Sequence, residues 1–201
     1  MQSLVLATNN KHKVSEIRTI LRKAGLKMKI LTLDAFPKRR PVVENRKTIQ
    51  GNAAKKAREV AKNTGHWALA DDTGLFVKAL GGRPGVYSAR FAGPGCTFRD
   101  NNKKMLRLMR KVPPSQRQAS FRCVAALATP KGKVVRVEGR IDGIISLKPR
   151  GTMGFGYDPI FLVPNFKKTF AELGSALKNR ISHRALAFSQ VPALIHQISK
   201  F

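Results

Sequence analysis

The chain has 201 residues, of which 42% are hydrophobic and 25% are charged, a composition that is typical of a folded globular protein and argues against disorder. Lys and Arg number 39 and Asp and Glu only 11, so the formal net charge is +28 and nucleotides, nucleic acids or other polyanions are the expected partners. No apolar run approaches the ~20 residues of a membrane helix and no signal peptide precedes the first apolar segment, which predicts a cytoplasmic protein without a membrane partner.

The first predicted elements are a buried strand over Gln2–Thr8 and a helical apolar pattern that begins at Val14 and closes at Gly25. Between them lies a polar loop that runs from Thr8 to Lys13. A strand, a loop and a helix N-terminus together offer backbone N–H groups to a phosphate. The loop has no glycine-rich phosphate motif, so the residues alone leave both phosphate binding and plain helix capping open.

A second strand is predicted over Lys27–Leu33, and Thr48 is expected to cap a helix that ends at Gly65. Glu44 lies in the loop between them. It is an isolated acid in a basic stretch, which makes it a candidate ligand for a cation.

A third strand, Trp67–Ala70, is expected to end at the adjacent acids Asp71 and Asp72. Two acids beside apolar segments are unusual in a chain with so few, and hard carboxylate oxygens suit magnesium. The alternative is a simple turn, because Asp-Thr-Gly is favourable turn chemistry. The residues 71–74 alone do not decide between them.

The second half of the chain is predicted to contain a helix, a strand hairpin, a glycine-rich loop and a final helix. Thr97 caps the first helix, whose apolar side carries Phe98, Met105, Leu106 and Met109, with the methionines as core filler. The hairpin strands run over residues 119–129 and 133–145, and the loop 151–159 leads into an apolar segment, 160–163. The final helix runs to Phe201, and Pro192 is expected to kink or divide it.

These elements predict one domain over residues 1–201, of the α/β class: a mixed twisted sheet with flanking helices and two lobes around a nucleotide-binding groove. No internal repeat or change in composition marks a further domain boundary. The reduced state is expected for Cys96 and Cys123, which are few and far apart.

Five motifs in order give the chain a family resemblance. They are Ala7–Lys13, Ala70–Leu75, Gly81–Arg90, Gly154–Pro159 and Ile181–Arg184. Together they resemble the inosine/xanthosine triphosphate pyrophosphatases, also called the Ham1-like family, whose fold is related to that of the Maf proteins. The resemblance extends over essentially the whole chain.

The resemblance implies an enzyme that hydrolyses ITP, dITP and XTP to the monophosphate and pyrophosphate with Mg²⁺ and so removes non-canonical purines from the nucleotide pool. It also implies a homodimer. Matched residue by residue, the metal-binding acids are Glu44 and Asp72, and Asp72 is also the catalytic base. The substrate-binding residues implied in the same way are Thr8, Asn9, Asn10, Lys13, Lys56, Thr73, Phe155, Gly156, Tyr157, Asp158, Lys178, His183 and Arg184.

Specificity for these purines is expected to come from O6, an acceptor in hypoxanthine and xanthine that is replaced by a donor amino group in adenine. We assign the donors that read it to Arg184, together with His183 or N–H groups of the Phe155 loop. Four side chains keep a structural alternative: His183 as a satisfied histidine at a helix start, Phe155 and Tyr157 as core or lip aromatics, and Lys56 as part of a solvated helix face. The glycine-flanked loop favours a stacking role for the two aromatics.

The chain departs from the family pattern at Gly51, where the resemblance leads one to expect an acid near the metal. An alternative function is therefore a strongly cationic, weakly active or inactive variant of the fold that binds nucleic acid or other polyanions. A Maf-type pyrophosphatase is a second alternative, which the motifs at Gly154–Asp158 and Ser182–Arg184 disfavour.

Overall fold

A computed structural model of the protein describes residues 3–37 and 40–199. In that part of the chain the strands are β1 Ser3–Leu6, β2 Lys29–Thr32, β3 Trp67–Val77, β4 Pro84–Gly85, β5 Gln118–Ala128, β6 Val134–Ile145, β7 Phe161–Val163 and β8 Lys168–Thr169. The α-helices are α1 Lys11–Lys23, α2 Ile49–Thr64, α3 Phe98–Leu108, α4 Phe170–Ile181, α5 His183–Phe188 and α6 Val191–Ser199.

The strands form one mixed sheet in the order β2-β1-β3-β5-β6-β7-β8, with β4 paired to β3. Strand β1 is parallel to both β2 and β3, so Leu4 pairs with Ile30 on one side and Trp67 on the other. Strands β4, β7 and β8 join their neighbours antiparallel. The predicted mixed α/β class is therefore confirmed.

The chain folds as two compact units, and each has its own apolar core. Unit 1 comprises Met1–Asp72, Cys123–Gly139 and His183–Phe201, and unit 2 comprises Thr73–Arg122 and Arg140–Ser182. The core of unit 1 is built from β1, α1, α5 and α6 together with the unit 1 residues of β3 and β5. The core of unit 2 includes Met105 and Met109, both fully buried, as predicted. The expected single two-lobed domain stays a prediction.

Capping residues define the helices that the sequence predicted best. Asn10 accepts N–H groups at the start of α1, Thr48 does so for α2, and Gly65 ends α2 in the left-handed conformation that glycine favours. The predicted division of the final helix is also confirmed, because α6 begins at Val191 with Pro192 in its first turn, where a missing N–H costs nothing. The expected end at Phe201 and the expected start at Gln2 lie outside the described residues.

The predicted end of the third strand at Ala70 is wrong, and so is the turn alternative for residues 71–74. Strand β3 continues to Val77, because Leu75 and Phe76 pair with Gly85 and Pro84 of β4. Asp71 and Asp72 therefore lie inside a strand, where both are buried. A strand interior fixes both side chains more firmly than a turn would.

Three other expectations need correction. The first two predicted strands are too long. The first was expected to extend to Thr8, but β1 ends at Leu6, and the second was expected over Lys27–Leu33, but β2 spans Lys29–Thr32. Phe98 is 43% exposed rather than on the apolar side of α3, because it is the first helical residue and no earlier turn covers it. Helix α4 was not predicted, although Thr169 and Glu172 form a capping box at its start.

Two further observations bear on the cellular context. Neither Cys96 nor Cys123 forms a disulfide, and Cys123 is buried. Among the described helices, none combines the length and the apolar character that a membrane span requires.

Candidate active site

The loop between β1 and α1 is organised by Asn10. Its Oδ1 accepts the backbone N–H groups of His12 at 3.0 Å and Lys13 at 3.3 Å, and its own N–H donates to Thr8 Oγ1 at 3.2 Å. Helix capping is therefore present, as one of the two interpretations of this loop required. Thr8, Asn9 and Asn10 lie together at the N-terminus of α1, where the helix dipole favours an anion.

Asp71 is the centre of a buried ion network in unit 1. It is 1% exposed, and its Oδ2 lies 2.8 Å from Lys13 Nζ of α1 and 3.3 Å from Arg184 Nη2 of α5. Arg184 Nη1 in turn donates to Glu16 at 2.6 Å. Burial by itself would raise the pKa of Asp71, but the cationic charges of Lys13 and Arg184 outweigh it and hold the pKa well below its ordinary value.

Asp72, the next residue in β3, has a different environment. Its Oδ2 accepts a hydrogen bond of 3.1 Å from Asn52 Nδ2 of α2, and Asn52 Oδ1 accepts the N–H of Arg46 at 2.9 Å. Burial raises the pKa of Asp72 to about 6, and the nearby carboxylate of Glu44 adds to the rise, while Lys56 opposes it. Two adjacent aspartates thus have opposite pKa shifts, a pattern that marks many acid–base sites.

Lys56 of α2 is buried and forms an ion pair with Glu44. Burial would lower its pKa, but the surrounding carboxylates, first Asp71 and then Glu44, outweigh this and raise it. Lys56 is therefore not part of a solvated helix face. Its neighbour Lys55 fixes the loop that carries Glu44, since Lys55 Nζ donates to the Val43 carbonyl oxygen at 2.7 Å and to Asn45 Oδ1 at 2.9 Å.

Glu44 and Asp72 are the residues of this cluster that have the donor chemistry for a metal ion. In the described ranges no three His, Cys, Asp or Glu side chains converge on one point. Magnesium, however, usually takes only one or two protein carboxylates and completes its shell with water and substrate phosphates. The two carboxylates also repel each other, as the raised pKa of Asp72 indicates, so an added cation would relieve the cluster. The donor set therefore fits Mg²⁺.

Helix α5 lies directly on strand β6 in unit 1, and Gly139 makes this possible. An added Cβ at Gly139 would collide with the carbonyl oxygen of His183 and would lie 2.5 Å from the backbone nitrogen of Ala187. His183 and Arg184 begin this helix and are 3% and 1% exposed. The close contact fixes where the Arg184 side chain starts, and with it the pairing to Asp71.

The glycine-rich loop of unit 2 is held by Asp158. Its Oδ2 accepts the N–H of Phe155 at 2.8 Å and lies 2.5 Å from Lys178 Nζ of α4. The same ammonium group lies 4.6 Å from the centre of the Phe155 ring. Phe155 and Asp158 of one motif therefore form a cluster of an aromatic ring, an acid and a cation with Lys178, which lies 20 residues from Asp158.

Tyr157 belongs to the core of unit 2, which supports the structural alternative for this residue. It is 5% exposed, and its hydroxyl donates to the Ser88 carbonyl oxygen at 2.9 Å. Burial raises its pKa further above the ordinary value. The neighbouring Gly156 is held by Asn102 of α3, whose Nδ2 donates to its carbonyl oxygen at 3.0 Å. Thr73, in β3, is half-buried in the same unit.

Three supporting residues were missed from the sequence: Asn52, Lys55 and Asn102. Asn52 and Lys55 lie just after Gly51 at the start of α2. The chain departs from the family pattern at Gly51, so a local sequence signal marked this stretch. Asn102 lies 54 residues from its partner Gly156, and no local pattern connects the two.

The chain is similar to known proteins over nearly its whole length. The sequence profile of the Ham1 family matches residues 4–193. The chain is 47% identical to a dITP/XTP pyrophosphatase from Desulforamulus reducens, over 97% of this chain and 96% of the relative. It is 48% identical to a dITP/XTP pyrophosphatase from Geobacter sulfurreducens, over 94% of each chain. A solved HAM1 protein from Coxiella burnetii matches with a TM-score of 0.88 and 40% identity, over 98% of this chain and 100% of that one.

The buried network predicts a large stability effect at Asp71. We expect Asp71→Ala to lower the free energy of unfolding by about 3 kcal/mol or more, because Lys13 and Arg184 would then lack a buried counter-charge. The matched control is Asp142→Ala, which removes the exposed partner of Arg140 and should cost less than about 1 kcal/mol. Urea denaturation of both variants measures the difference. Similar losses in the two would contradict the central role of Asp71.

Proposed function

This chain belongs to the Ham1 family, and from that premise we propose that it is a pyrophosphatase that hydrolyses ITP, dITP and XTP to the monophosphate and pyrophosphate. The observation that carries this proposal is the 47% identity to a dITP/XTP pyrophosphatase over nearly the full length of both chains. Removal of non-canonical purines from the cytoplasmic nucleotide pool would be its biological role. A homodimer is part of the proposal, although like charges across the interface would have to be screened.

In unit 1, Asp72 is proposed as the catalytic base. A general base works best when its pKa lies near the working pH, and the raised pKa of about 6 at Asp72 keeps its carboxylate ionised at neutral pH while making it a better proton acceptor than an exposed aspartate. Glu44 and Asp72 would hold Mg²⁺, which when bound supplies charge stabilisation for the triphosphate and the departing pyrophosphate. Asn52 orients the Asp72 carboxylate through its hydrogen bond to Oδ2.

The remaining substrate contacts of unit 1 are proposed for the triphosphate. Lys13 and Lys56 supply positive charge beside the acids, and the capped N-terminus of α1 supplies its dipole. In the free protein both lysines are paired with carboxylates, Lys13 with Asp71 and Lys56 with Glu44. These pairs leave neither lysine without a counter-charge when no substrate is bound. Substrate phosphates would therefore have to compete with the two carboxylates for the lysines.

In unit 2, the loop Phe155–Asp158 and Lys178 are proposed to recognise the base. Phe155 offers a flat ring, and Lys178 offers N–H donors close to that ring. Tyr157 supports the loop from the core, since its hydroxyl is already bonded to Ser88. A purine with an acceptor at O6 would satisfy a donor such as Lys178, whereas adenine would present a second donor to it.

The contacts of Arg184 favour a different role from the O6 donor that its sequence position suggested. Both terminal nitrogens donate to carboxylates, Nη1 to Glu16 and Nη2 to Asp71. We therefore assign Arg184 as a positioning residue that holds Asp71 and, through it, Lys13.

The function is tested by incubating the protein with ITP, XTP, dITP, ATP and GTP, with and without Mg²⁺, and measuring pyrophosphate. We expect release from the first three, dependent on the metal. Asp72→Asn should reduce it by several orders of magnitude, and it should not lower the midpoint of thermal unfolding, because the raised pKa shows that the fold disfavours the charge at this position. Asp100→Asn, on the exposed start of α3, is the control. Retained activity in Asp72→Asn would refute the catalytic assignment.

Arg184→Lys separates the two roles of this residue. A lysine keeps one positive charge but loses the fork that reaches Glu16 and Asp71 together. If Arg184 is a positioning residue, kcat/KM should fall by a similar factor, on the order of 10-fold, for ITP, dITP and XTP, and ATP and GTP should remain unhydrolysed. A change in the ratio of ITP to ATP hydrolysis, with kcat for ITP preserved, would instead support direct contact with O6.

We expect an acidic substitution at Gly51 to strengthen the proposed binding of Mg²⁺. It is the third residue of α2, and its N–H donates to Thr48 Oγ1 at 3.0 Å, so Gly51→Glu would complete a capping box and add an acid next to Asn52. Its Cβ would lie 2.9 Å from Cβ of Arg46, in an exposed loop that must shift slightly. We expect half-maximal activity at a lower Mg²⁺ concentration. Gly51→Gln, which restores the helix propensity without the charge, should not show this shift. Equal metal dependence in both variants would contradict a role for the charge.

A further inference from the structure

Helix α3 in unit 2 carries a line of exposed basic residues on the side opposite its buried methionines. Arg99, Lys103 and Arg107 are each four residues apart, a spacing that places side chains on one side of an α-helix. The line continues into the turn that follows the helix. Its members, which we call the basic face, are Arg99, Lys103, Arg107, Arg110 and Lys111. From Arg99 to Arg107 the face extends about 12 Å along the helix.

Neighbouring acids balance the charge of the basic face only in part. Hydrogen bonds from Thr97 and, more weakly, the charges of Lys103 and Arg99 lower the pKa of Asp100. Asp100 is the one acid in α3, and its carboxylate is committed to the helix cap, where it accepts the N–H of Thr97 at 2.9 Å and its hydroxyl at 2.6 Å. Among the described residues, no ion pair involves a member of the basic face. Like charges four residues apart destabilise a helix. A bound polyanion would remove this repulsion.

Exposed aromatic residues lie beside this helix. Phe98 is its first residue and is 43% exposed, and Tyr87 is 55% exposed with the guanidinium of Arg90 at 5.1 Å from its ring centre. The segment that carries Tyr87 is fixed to α3, because Asn101 Nδ2 donates to the Ala89 carbonyl oxygen at 3.1 Å and Oδ1 accepts the N–H of Ala92 at 2.7 Å. The aromatic rings therefore have a defined position relative to the start of the helix.

Rows of basic side chains combined with exposed aromatic rings suit a ligand that has both phosphates and flat apolar faces. Single-stranded nucleic acid has both, since its phosphates pair with Lys and Arg and its bases stack on aromatic side chains. A second copy of this chain is disfavoured, because its net charge is also +28. A single phosphate group would engage only one or two of the five cations.

We propose that the basic face of α3, with Tyr87 and Phe98, binds single-stranded nucleic acid. The electrostatic part of this binding is independent of the proposed hydrolysis, because Lys103 and Arg107 take no part in either cluster of the candidate active site. Tyr87 also lies outside both clusters, whereas the Phe98 ring centre is 6.0 Å from that of Phe155 in the unit 2 cluster. The net charge of the chain suggests polyanion binding without saying where, and the proposal locates this binding on one surface.

The electrostatic part is tested with a fluorescein-labelled oligothymidylate, by fluorescence anisotropy at several salt concentrations in EDTA. The variant is Lys103→Gln with Arg107→Gln, and the matched control is Lys131→Gln with Arg136→Gln, two exposed residues in the other unit. Both double variants change the net charge equally. We expect only the first to lower the slope of log K against log salt, by about 1.4 if two phosphate contacts are lost. Equal slopes in the two variants would show that binding follows total charge and would overturn the proposal.

The stacking part is tested with Tyr87→Ala and Phe98→Ala. Affinity for the oligothymidylate should fall by about 5-fold or more for each, the effect expected for loss of one stacked base, while affinity for inorganic polyphosphate should not change. Phe166→Ala, which removes another exposed aromatic residue of unit 2, is the control.

Circular dichroism melts exclude unfolding as the cause of any loss. Equal weakening for polyphosphate, or an equal effect of Phe166→Ala, would contradict recognition of bases. Self-association that depends on Tyr87 and Phe98, together with unchanged oligothymidylate binding, would assign the surface to contact between copies of this chain and would likewise overturn the proposal.

Discussion

The constraint on which unit 1 depends is the burial of the Asp71 carboxylate between two cations. Lys13 comes from α1, Asp71 from β3 and Arg184 from α5, so three elements that are distant in sequence meet at one charge. A buried ion pair contributes little net stability, because desolvation offsets its attraction, but removing one member leaves an uncompensated charge. The main effect of the network is therefore structural. Conformations in which these three elements do not meet are unfavourable, because they leave a buried charge unpaired. Asp72 takes its position from β3, which is fixed in this way, whereas Lys56 and Glu44 come from α2 and the loop before it and pair with each other.

The scarcity of acids makes the use of each one informative. Asp71, Asp72 and Asp158 are buried, and Glu44 and Glu16 are paired with buried cations. Five of the eleven acids therefore lie beside a buried cation or in the proposed catalytic cluster, whereas others, such as Asp142, are exposed. The buried guanidinium of Arg117 instead donates to backbone carbonyl oxygens, among them those of Ile145 and Ser146. The surface carries most of the positive excess, as α3 illustrates, and its cations are open to anions.

Much of the fold was predictable from local signals, and the parts that were not depend on distant contacts. Asn10, Thr48 and Gly65 mark helix ends through hydrogen bonds to their own neighbours, so the sequence locates α1 and α2. The continuation of β3 through Asp71 was missed, because aspartate is unfavourable in strands and is tolerated here only through Lys13 and Arg184. Helix α4 was missed because Gly174, with φ of 75°, interrupts it.

In the candidate site, too, some features follow from the local sequence and others depend on residues that are distant in the chain. Motifs named most of its residues, and adjacent positions in the sequence gave no reason for Asp71 and Asp72 to differ. They differ because β3 directs Asp71 toward two cations and Asp72 toward Asn52 and a second carboxylate. Likewise, Arg184 was assigned to the base from its motif, while its contacts are with carboxylates. Motifs name the candidate residues, but the contacts that distinguish these residues come from partners that are remote in the chain.

Gly139 has no side chain, yet it determines how close helix α5 can lie to strand β6. Its hydrogen atom is the spacer that sets the distance between β6 and α5, since any larger group would meet the backbone of His183 and Ala187. Backbone, unlike a flexible side chain, has no alternative rotamer with which to yield. A substitution here would displace the start of α5 as a rigid piece and separate Arg184 from both of its carboxylates at once. The candidate site is therefore coupled to a glycine that lies outside it, and the coupling passes through the backbone of α5.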